Sequence, residues 1–387
     1  GYENVCLGSN AGISMTTGYR NVLIGRNAGY ADMTSNHNIG IGFQSLYGLT
    51  GGGDNTCVGT SAGYALTTGG SNTAIGVSAL ATATTTSLNT AVGHDALRYA
   101  TTATSCVAVG ANALDALTTG DSNVAVGYDA GTACTTSGAN VMIGAYAGDA
   151  VTTGDARLVA VGFRACESTT GGKVGNTGVG QYALQLAVEG YNTGIGTYAG
   201  DVITTGQTNT IIGYCADASA SGANNQNVFG GSVTGSGDST FTFGHSTTDT
   251  TCTNGGTTWS APSDIRLKED IQDEVVGLDF INELRPVTFR WKKEKDVPED
   301  LVARGEGSEE RVMNGKYNHG FVAQEVKEVI DNTPDIKEGF DMWTEDDADG
   351  RQRIGESALI PMLVKSIQEL SAEVEELKKK AHNKCEE

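Results

Sequence analysis

The first 230 residues are built on a repeat of 17 residues. An apolar residue followed by glycine recurs along them, and the intervals between these glycines are 17 eight times and then 18, 18, 16 and 17. A fixed period this short predicts a stack of similar coils in which each coil contacts only its neighbours. The glycines that mark the period are Gly8, Gly25, Gly42, Gly59, Gly76, Gly93, Gly110, Gly127, Gly144, Gly162, Gly180, Gly196 and Gly213.

Each repeat contains the parts of one coil. Residues 72–76, Asn-Thr-Ala-Ile-Gly, alternate in polarity, which predicts a short strand, and the glycine permits a corner at positive φ. The Ala-Gly or Ala-Leu pair that follows predicts a second short strand, and the closing Thr-Thr-Gly predicts a polar turn. Because Asn precedes most of the glycines by four residues, we expect a ladder of side-chain amides, interrupted at Cys106 and Leu158.

The repeat supplies few large apolar side chains per coil, so we expect several chains to share the core. The repeats resemble the head repeats of trimeric adhesins, where Asn-x-Ala-Ile-Gly marks each coil of a β-roll and three rolls pack together. The resemblance implies a mainly β protein with a trimeric β-solenoid or β-roll shaft of about 13 coils over residues 1–230. An interwound triple β-helix is the alternative.

Composition excludes several classes of partner. The net charge of −21 divides into −9 over residues 1–259 (6 Lys and Arg, 15 Asp and Glu) and −12 over residues 260–387 (19 and 31). An acidic chain without a basic patch argues against nucleic acid, and no stretch is apolar enough for membrane insertion. Because the chain begins in mid-repeat, we expect an N-terminal anchor to precede it.

The eight cysteines are scattered singly, and none forms a Cys-x-x-Cys pair. This pattern predicts small buried apolar side chains in a protein assembled in a reducing cytoplasm, with no metal site and no cofactor.

Residues 231–262 break the period and predict a cap, or neck, and a linker. Phe241 and Phe243 alternate with Thr, which predicts a strand, and Trp259 is expected to dock nearby.

The remaining residues, 263–387, are charged and of mixed composition. They open with Ser-Asp-Ile-Arg-Leu-Lys-Glu-Asp-Ile at 263–271 and continue with Leu-Arg-Pro-Val-x-Phe-x-Trp-Lys at 284–292, His-Gly-Phe-Val-Ala-Gln-Glu-Val at 319–326 and Leu-Ile-Pro at 359–361. In order and spacing these motifs resemble the autocleaving intramolecular chaperone domain at the C-termini of phage endosialidase tailspikes and long tail fibres. The resemblance implies an α+β chaperone domain that trimerises the chain.

Ser263 and Lys268 are the candidate catalytic residues. A serine hydroxyl attacks only when a base takes its proton, and a lysine amine does this in Ser–Lys dyads, where desolvation or a neighbouring cation lowers its pKa. We therefore assign Ser263 as nucleophile and Lys268 as general base, and the resemblance implies cleavage between Pro262 and Ser263. The predicted activity is that of a serine endopeptidase that cleaves its own chain once, in cis, with no external substrate.

Other residues of these motifs are candidate supporting groups. Asp264 and Arg266 are predicted to orient the loop, with simple surface charge as the alternative. His319, Gln324 and Glu325 match the family motif, and packing is the favoured role for them.

The final segment predicts a long helix over about 357–381. Ile360, Leu363, Ile367, Leu370, Val374 and Leu377 repeat at spacings of 3 and 4, which is typical of a coiled-coil seam. Ile or Val at one seam position and Leu at the other favours two strands, whereas the resemblance implies three, and we favour the trimer.

The hypothesis that follows is a viral, phage-type tail fibre or tailspike, carried on the virion, which binds a host glycan or protein receptor as a homotrimer. One alternative is a trimeric surface adhesin without its anchor. Another is a membrane-tethered transcription factor, which lacks support because the basic and membrane segments that it requires are not found.

A third alternative is a glycan-degrading tailspike, which needs paired carboxylates. Its candidates are Asp95, Asp115, Asp129, Asp149 and Asp201, for which solvated turn residues are the favoured interpretation. A set of tyrosines also recurs near the corners and predicts either a binding surface or, as we favour, packing between chains: Tyr30, Tyr64, Tyr128, Tyr146, Tyr182, Tyr198 and Tyr214.

Overall fold

The computed structural model describes residues 1–153, 157–170, 175–301, 303, 305–336, 340, 342–346 and 349–385. The chain divides into two compact units, Gly1–Ser263 and Asp264–Glu387.

The first unit is a β-solenoid whose described strands form one sheet of 16 strands in sequence order. Three-residue strands pair in parallel along it, and a hairpin of two longer strands closes the end. The strands are Val5–Leu7, Val22–Ile24, Ile39–Ile41, Thr56–Val58, Thr73–Ile75, Thr90–Val92, Val107–Val109, Val124–Val126, Val141–Ile143, Val159–Val161, Thr177–Val179, Thr193–Ile195, Thr210–Ile212, Asn227–Phe229, Thr240–His245 and Thr248–Thr253.

Successive coils belong to one chain. Thr73 pairs with Thr90 and Thr90 with Val107, so the sheet register equals the sequence period. This register favours single-chain coils over the interwound alternative. The mainly β solenoid is confirmed. One further coil follows the thirteen that were predicted: Gly230 keeps the glycine corner at φ 134°, but Gln226 stands at the position that Asn occupies in most other coils.

Side chains of each coil fill the interior of the solenoid at that coil. The middle residue of the strand points inwards, as at Ala74 and Ala91, which are fully buried, and the residues on either side of it are half-buried or exposed. The predicted alternation is therefore confirmed. Leu residues from the corners, such as Leu97 and Leu114, complete this core and are also fully buried. The expectation that the core needs several chains is wrong, since side chains of one chain close it.

The corner explains why glycine marks the period. Gly127 has φ 143°, and a Cβ there would lie 2.5 Å from the carbonyl oxygen of Gly144 in the next coil, where an atom cannot fit. The predicted second strand after the corner is wrong. Asp95 and Leu97 have φ 56° and 52°, and left-handed residues at alternate positions turn the chain instead of extending it.

The asparagine ladder is confirmed. Asn55 Nδ2 donates to Asn38 Oδ1 and to the Gly69 carbonyl, both at 3.0 Å. Asn55 Oδ1 accepts from the backbone N–H and from Nδ2 of Asn72, at 3.1 and 3.0 Å. Cys106 interrupts the side-chain ladder as predicted, yet its backbone N–H still donates to Asn89 Oδ1 at 2.9 Å. The ladder thus ties neighbouring coils together inside the solenoid.

Replacing Asn55 by Ala should lower the free energy of unfolding of the solenoid by about 2–4 kcal/mol, because buried donors and acceptors on two neighbouring coils lose their partner. Thermal or chemical unfolding followed by circular dichroism measures the loss. Thr56→Val is the matched control, since Val107 occupies the same position of its own coil. Equal stability of N55A and T56V would show that the ladder is not stabilising.

The hairpin at the end of the solenoid carries an aromatic cluster. Thr240–His245 is a strand, as predicted for Phe241 and Phe243. Trp259 docks on both rings, with centroids 5.6 Å from Phe241 and 5.3 Å from Phe243. The expected docking of Trp259 is confirmed.

The second unit is a small α+β structure that ends in a long helix. Its α-helices are α1 (Leu278–Glu283), α2 (Ala323–Asn332) and α3 (Ile360–Cys385). Val287–Phe289 pairs with Asn318–Gly320, and Trp343–Glu345 with Gln352–Ile354, both antiparallel. Short 3₁₀ helices lie at Ile265–Leu267, Glu294–Asp296 and Glu356–Leu359.

The core of this unit lies between α1, α2 and the start of α3. Phe280 and Val326 are buried there, together with Leu359 and Met362. Glu369 of α3 caps α1 by accepting the backbone N–H of Leu278 at 2.8 Å. These contacts hold the first turns of α3 against the unit. The predicted α+β region with a long final helix is confirmed.

Candidate functional site

The Ile265–Leu267 turn is shaped by Asp264. The Asp264 carboxylate accepts the backbone N–H of Arg266 at 2.9 Å and forms an ion pair with its guanidinium at 2.6 Å. These hydrogen bonds hold the pKa of the Asp264 carboxyl below its usual value. At the other end, the Lys268 backbone N–H donates to the Ile265 carbonyl at 3.2 Å. Asp264 and Arg266 therefore shape the loop between the predicted catalytic residues.

The two predicted catalytic residues flank this turn in the sequence. Ser263 is the last residue of the first unit, and Lys268 follows the turn in the second unit. Both side chains are exposed. Their roles as nucleophile and base, and the cleavage between Pro262 and Ser263, remain predictions.

The remaining motif residues contact other elements of the second unit. Glu325, in the first turn of α2, accepts from the guanidinium of Arg285, and this ion pair holds the pKa of the Glu325 carboxyl below its usual value. His319 Nδ1 lies 3.2 Å from Thr288 Oγ1 across the strand pair. Gln324 is exposed on α2. These contacts favour the packing role for His319 and Glu325.

An apolar stripe runs along the exposed side of α3. Met362 and Ser366 face the core, whereas the predicted seam residues lie on another side of the helix. Ile367 is 66% exposed, and the other seam residues are exposed as well: Ile360, Leu363, Leu370, Val374 and Leu377. Such a stripe on a helix that is otherwise charged is suited to bind helices of other copies.

The contact between Glu369 and α1 was not predicted from the sequence. Glu369 lies off the apolar seam and 91 residues from Leu278, so no local pattern links the two.

Tyrosines of the solenoid stack on one another from coil to coil. Tyr30, Tyr47 and Tyr64 form one stack, with successive ring centroids 5.0 Å apart. A second column of rings, spaced at 5.5, 6.1, 5.4 and 5.0 Å, runs through Tyr128, Tyr146, Phe163, Tyr182 and Tyr198. These rings pack within one chain, so the predicted packing between chains is not needed to explain them.

The carboxylates of the solenoid differ in their hydrogen-bond and ion-pair partners. Asp95 pairs with Arg98 at 3.3 Å, and Asp129 accepts from Asn112 Nδ2 at 2.8 Å. Burial and neighbouring carboxylates raise the pKa of Asp115 and of Asp149. Burial, together with the adjacent Asp201, raises the pKa of Asp217 to about 7.

This raised pKa predicts a pH dependence of stability. Between about pH 4 and pH 7 the unfolded chain ionises at Asp217 while the folded chain keeps the proton, so folding loses free energy as the pH rises. Asp217→Asn should therefore raise the melting temperature of the solenoid at pH 7 by a few degrees, about 2–4 °C per kcal/mol, and leave it unchanged below pH 4. Calorimetry of both proteins from pH 4 to pH 8 measures this, and an equal difference at every pH would contradict it.

In the described part of the chain, no group of three or more His, Cys, Asp or Glu side chains is placed to hold a metal ion. Nor does any helix among those residues have the length and apolarity to cross a membrane. Burial raises the pKa of the Cys57, Cys134 and Cys166 thiols to about 12, consistent with their role as apolar core residues.

Residues 263–333 match the family model described as chaperone of endosialidase. The match begins at Ser263 and extends through α2, so it covers the first part of the second unit. The predicted resemblance is confirmed, and the domain together with a solenoid of about 14 coils fits a tailspike or tail-fibre type of protein. The family is one of self-cleaving chaperone domains, which supports autoproteolysis in general terms. No curated protein and no solved structure matches the chain.

Proposed function

We propose that the chain is a phage tail fibre or tailspike whose C-terminal domain gathers three chains, starts folding of the solenoid and then detaches itself. The observation that carries the proposal is the position of the chaperone domain, directly after a solenoid of near-identical coils. Strands that repeat every 17 residues can pair one coil out of register at little energetic cost, so a device that sets the register is useful.

The proposed detachment is a single cleavage in cis. Ser263 Oγ attacks the carbonyl carbon of Pro262 while the Lys268 amine takes the hydroxyl proton, and the Pro262–Ser263 C–N bond breaks as the Ser263 amine is protonated. Water then hydrolyses the resulting ester, which leaves a carboxylate on Pro262 and restores the hydroxyl. After the chaperone is lost, an unfolded solenoid cannot be refolded, so the product is kinetically trapped.

The assembled protein is proposed to form in the host cytoplasm and to be carried on the virion, where the solenoid binds a glycan or protein receptor on the host surface. Exposed rings such as Tyr128 and Tyr214 support a binding role. Incubation of the cleaved protein with host glycans, followed by a reducing-end assay, separates a binder from a glycan-degrading enzyme. We expect binding without new reducing ends.

Expression of residues 1–262 alone tests the chaperone role. We expect this fragment to aggregate or to form assemblies of mixed register, whereas the full chain yields a soluble solenoid with a sharp unfolding transition. A fragment as soluble and as cooperative as the product of the full chain would contradict the proposal.

A further inference from the structure

A column of aromatic rings runs along the later coils of the solenoid. In six successive coils an aromatic residue stands one or two positions after the corner glycine. We call this feature the ring column. Because each coil stacks directly on the next, the column follows the long axis of the solenoid. Its members are Tyr128, Tyr146, Phe163, Tyr182, Tyr198 and Tyr214.

The first rings of the column meet edge to face. The planes of Tyr128 and Tyr146 are inclined by 80°, and Phe163 is inclined by 88° to the ring on either side of it. In each such pair one ring contacts the other by its edge, so that neighbour leaves its faces uncovered. In the earlier stack from Tyr30 to Tyr64 the planes are inclined by only 3° and 11°, and the rings cover one another. The ring column therefore offers ring faces that the earlier stack does not.

Exposed rings recur at every second coil from Tyr128 to Tyr198. Tyr128 is 50% exposed, Phe163 37% and Tyr198 36%. Tyr146 and Tyr182, in the coils between them, are half-buried. Two coils advance by roughly 10 Å along the solenoid. This advance is close to the length of a disaccharide unit in an extended glycan, so successive exposed rings can contact sugars that lie two residues apart.

Polar side chains lie beside the rings. The guanidinium carbon of Arg164 lies 5.3 Å from the ring centroid of Tyr146 and 5.4 Å from that of Phe163. Arg164 Nη1 lies 3.5 Å from Glu167 Oε1, and Glu167 Oε2 accepts from Gln185 Nε2 at 2.6 Å. Because a carboxylate offers about four acceptor sites, Glu167 can accept further hydrogen bonds from hydroxyl groups. The column thus combines apolar ring surface with hydrogen-bond acceptors, the two features that bind a sugar ring.

The charge beside the ring column is negative. The charge of Asp129 and its hydrogen bond raise the pKa of the Tyr128 hydroxyl. Burial and the nearby charges of Asp129 and Glu167 raise the pKa of Asp149. The guanidinium of Arg164 offsets only part of these three carboxylates. Anionic sugars would be repelled here, whereas the hydroxyl groups of uncharged sugars can donate to the carboxylates.

We propose that the ring column binds a linear, uncharged glycan that lies along the solenoid. The apolar faces of its sugars stack on Tyr128, Phe163 and Tyr198, and their hydroxyl groups donate to acceptors such as Glu167. The binding is non-covalent, and every glycosidic bond stays intact. The inference rests on the proposed function, because it assigns a ligand class and a surface to the proposed receptor binding.

An array of defined glycans tests the ligand class with the purified full chain. The array carries hexasaccharides and disaccharides of β1,4-linked glucose, N-acetylglucosamine and mannose as uncharged probes, and hexasaccharides of uronic acid and of sialic acid as anionic probes. We expect an uncharged hexasaccharide to bind at least about tenfold more tightly than its own disaccharide, because the longer chain contacts rings on more coils. An array on which no uncharged hexasaccharide binds, or on which the anionic probes bind more tightly, overturns the inference.

Paired substitutions test the surface. Tyr128→Ala with Tyr198→Ala should lower the affinity for the bound hexasaccharide by at least about tenfold in isothermal titration calorimetry. Tyr30→Ala with Tyr64→Ala is the matched control, because it removes two rings that are each 37% exposed from the earlier stack, and it should bind like the unmodified chain. Circular dichroism verifies that both variants are folded. Equal affinities of the two variants would overturn the assignment to the ring column.

The same titration with Ser263→Ala separates this inference from the proposed function. If the chain is never cut or stays monomeric, yet binds the glycan through Tyr128 and Tyr198, the ligand class stands and the proposed assembly or cleavage fails. If the chain is cut and assembles as proposed but binds no uncharged hexasaccharide, the inference about the ring column fails alone.

Discussion

Replacing Ser263 by Ala should leave one full-length chain of 40.0 kDa on a denaturing gel, where the unmodified protein gives fragments of residues 1–262 and 263–387. The reason is chemical: without the hydroxyl no ester can form at Pro262, and loss of a nucleophile lowers the rate of such reactions by about 10⁶-fold. Time courses of purified protein, followed by mass spectrometry, measure the cut and its position.

Lys268→Arg sharpens this test. Arginine keeps the positive charge but cannot give up its proton at any relevant pH, so it cannot act as a base, and we expect no cleavage. Ser260→Ala is the matched control, since it removes a hydroxyl three residues upstream of Ser263. If S263A or K268R still yields the two fragments, the proposed dyad is wrong.

Placing a charge on the apolar stripe of α3 should abolish oligomer formation. Ile367→Asp puts a carboxylate at the centre of a seam that assembly would bury, and an unpaired buried charge costs several kcal/mol. We expect the association constant to fall by more than about a hundredfold, and cleavage to fall with it. Analytical ultracentrifugation at several protein concentrations measures the change.

Ala372→Asp adds the same charge to the same helix on the side opposite the stripe, and we expect it to assemble like the unmodified chain. Because Ile367 is exposed in the single chain, Ile367→Asp should leave the fold of the second unit intact, as circular dichroism can verify. An I367D protein that still forms trimers would mean that contacts other than the α3 stripe hold the chains together.

Much of the solenoid could be predicted from its sequence because the same 17-residue period repeats several kinds of contact from coil to coil. Spacing alone predicted the short strand with alternating polarity, the glycine corner and the amide ladder. The left-handed residues after the corner could not be predicted, because leucine rarely adopts positive φ, whereas Leu97 has φ 52° with its side chain fully buried. A sequence pattern shows that Leu is apolar but not that burial offsets a strained backbone.

The candidate functional site was predicted less completely than the solenoid. The spacing of Ser263 and Lys268 and the surrounding motifs located the chaperone domain, because its signature lies in short local runs. The partners of Glu325 and Glu369, by contrast, are 40 and 91 residues away in the sequence. Contacts at that separation depend on how the helices pack, which local patterns do not report.

The mass of the purified protein, measured under native and denaturing conditions, tests the central claim most directly. The account predicts two denatured masses, for residues 1–262 and 263–387, and a native assembly that contains three solenoids. A native monomer with a single uncut mass of 40.0 kDa would contradict both the proposed assembly and the proposed cleavage.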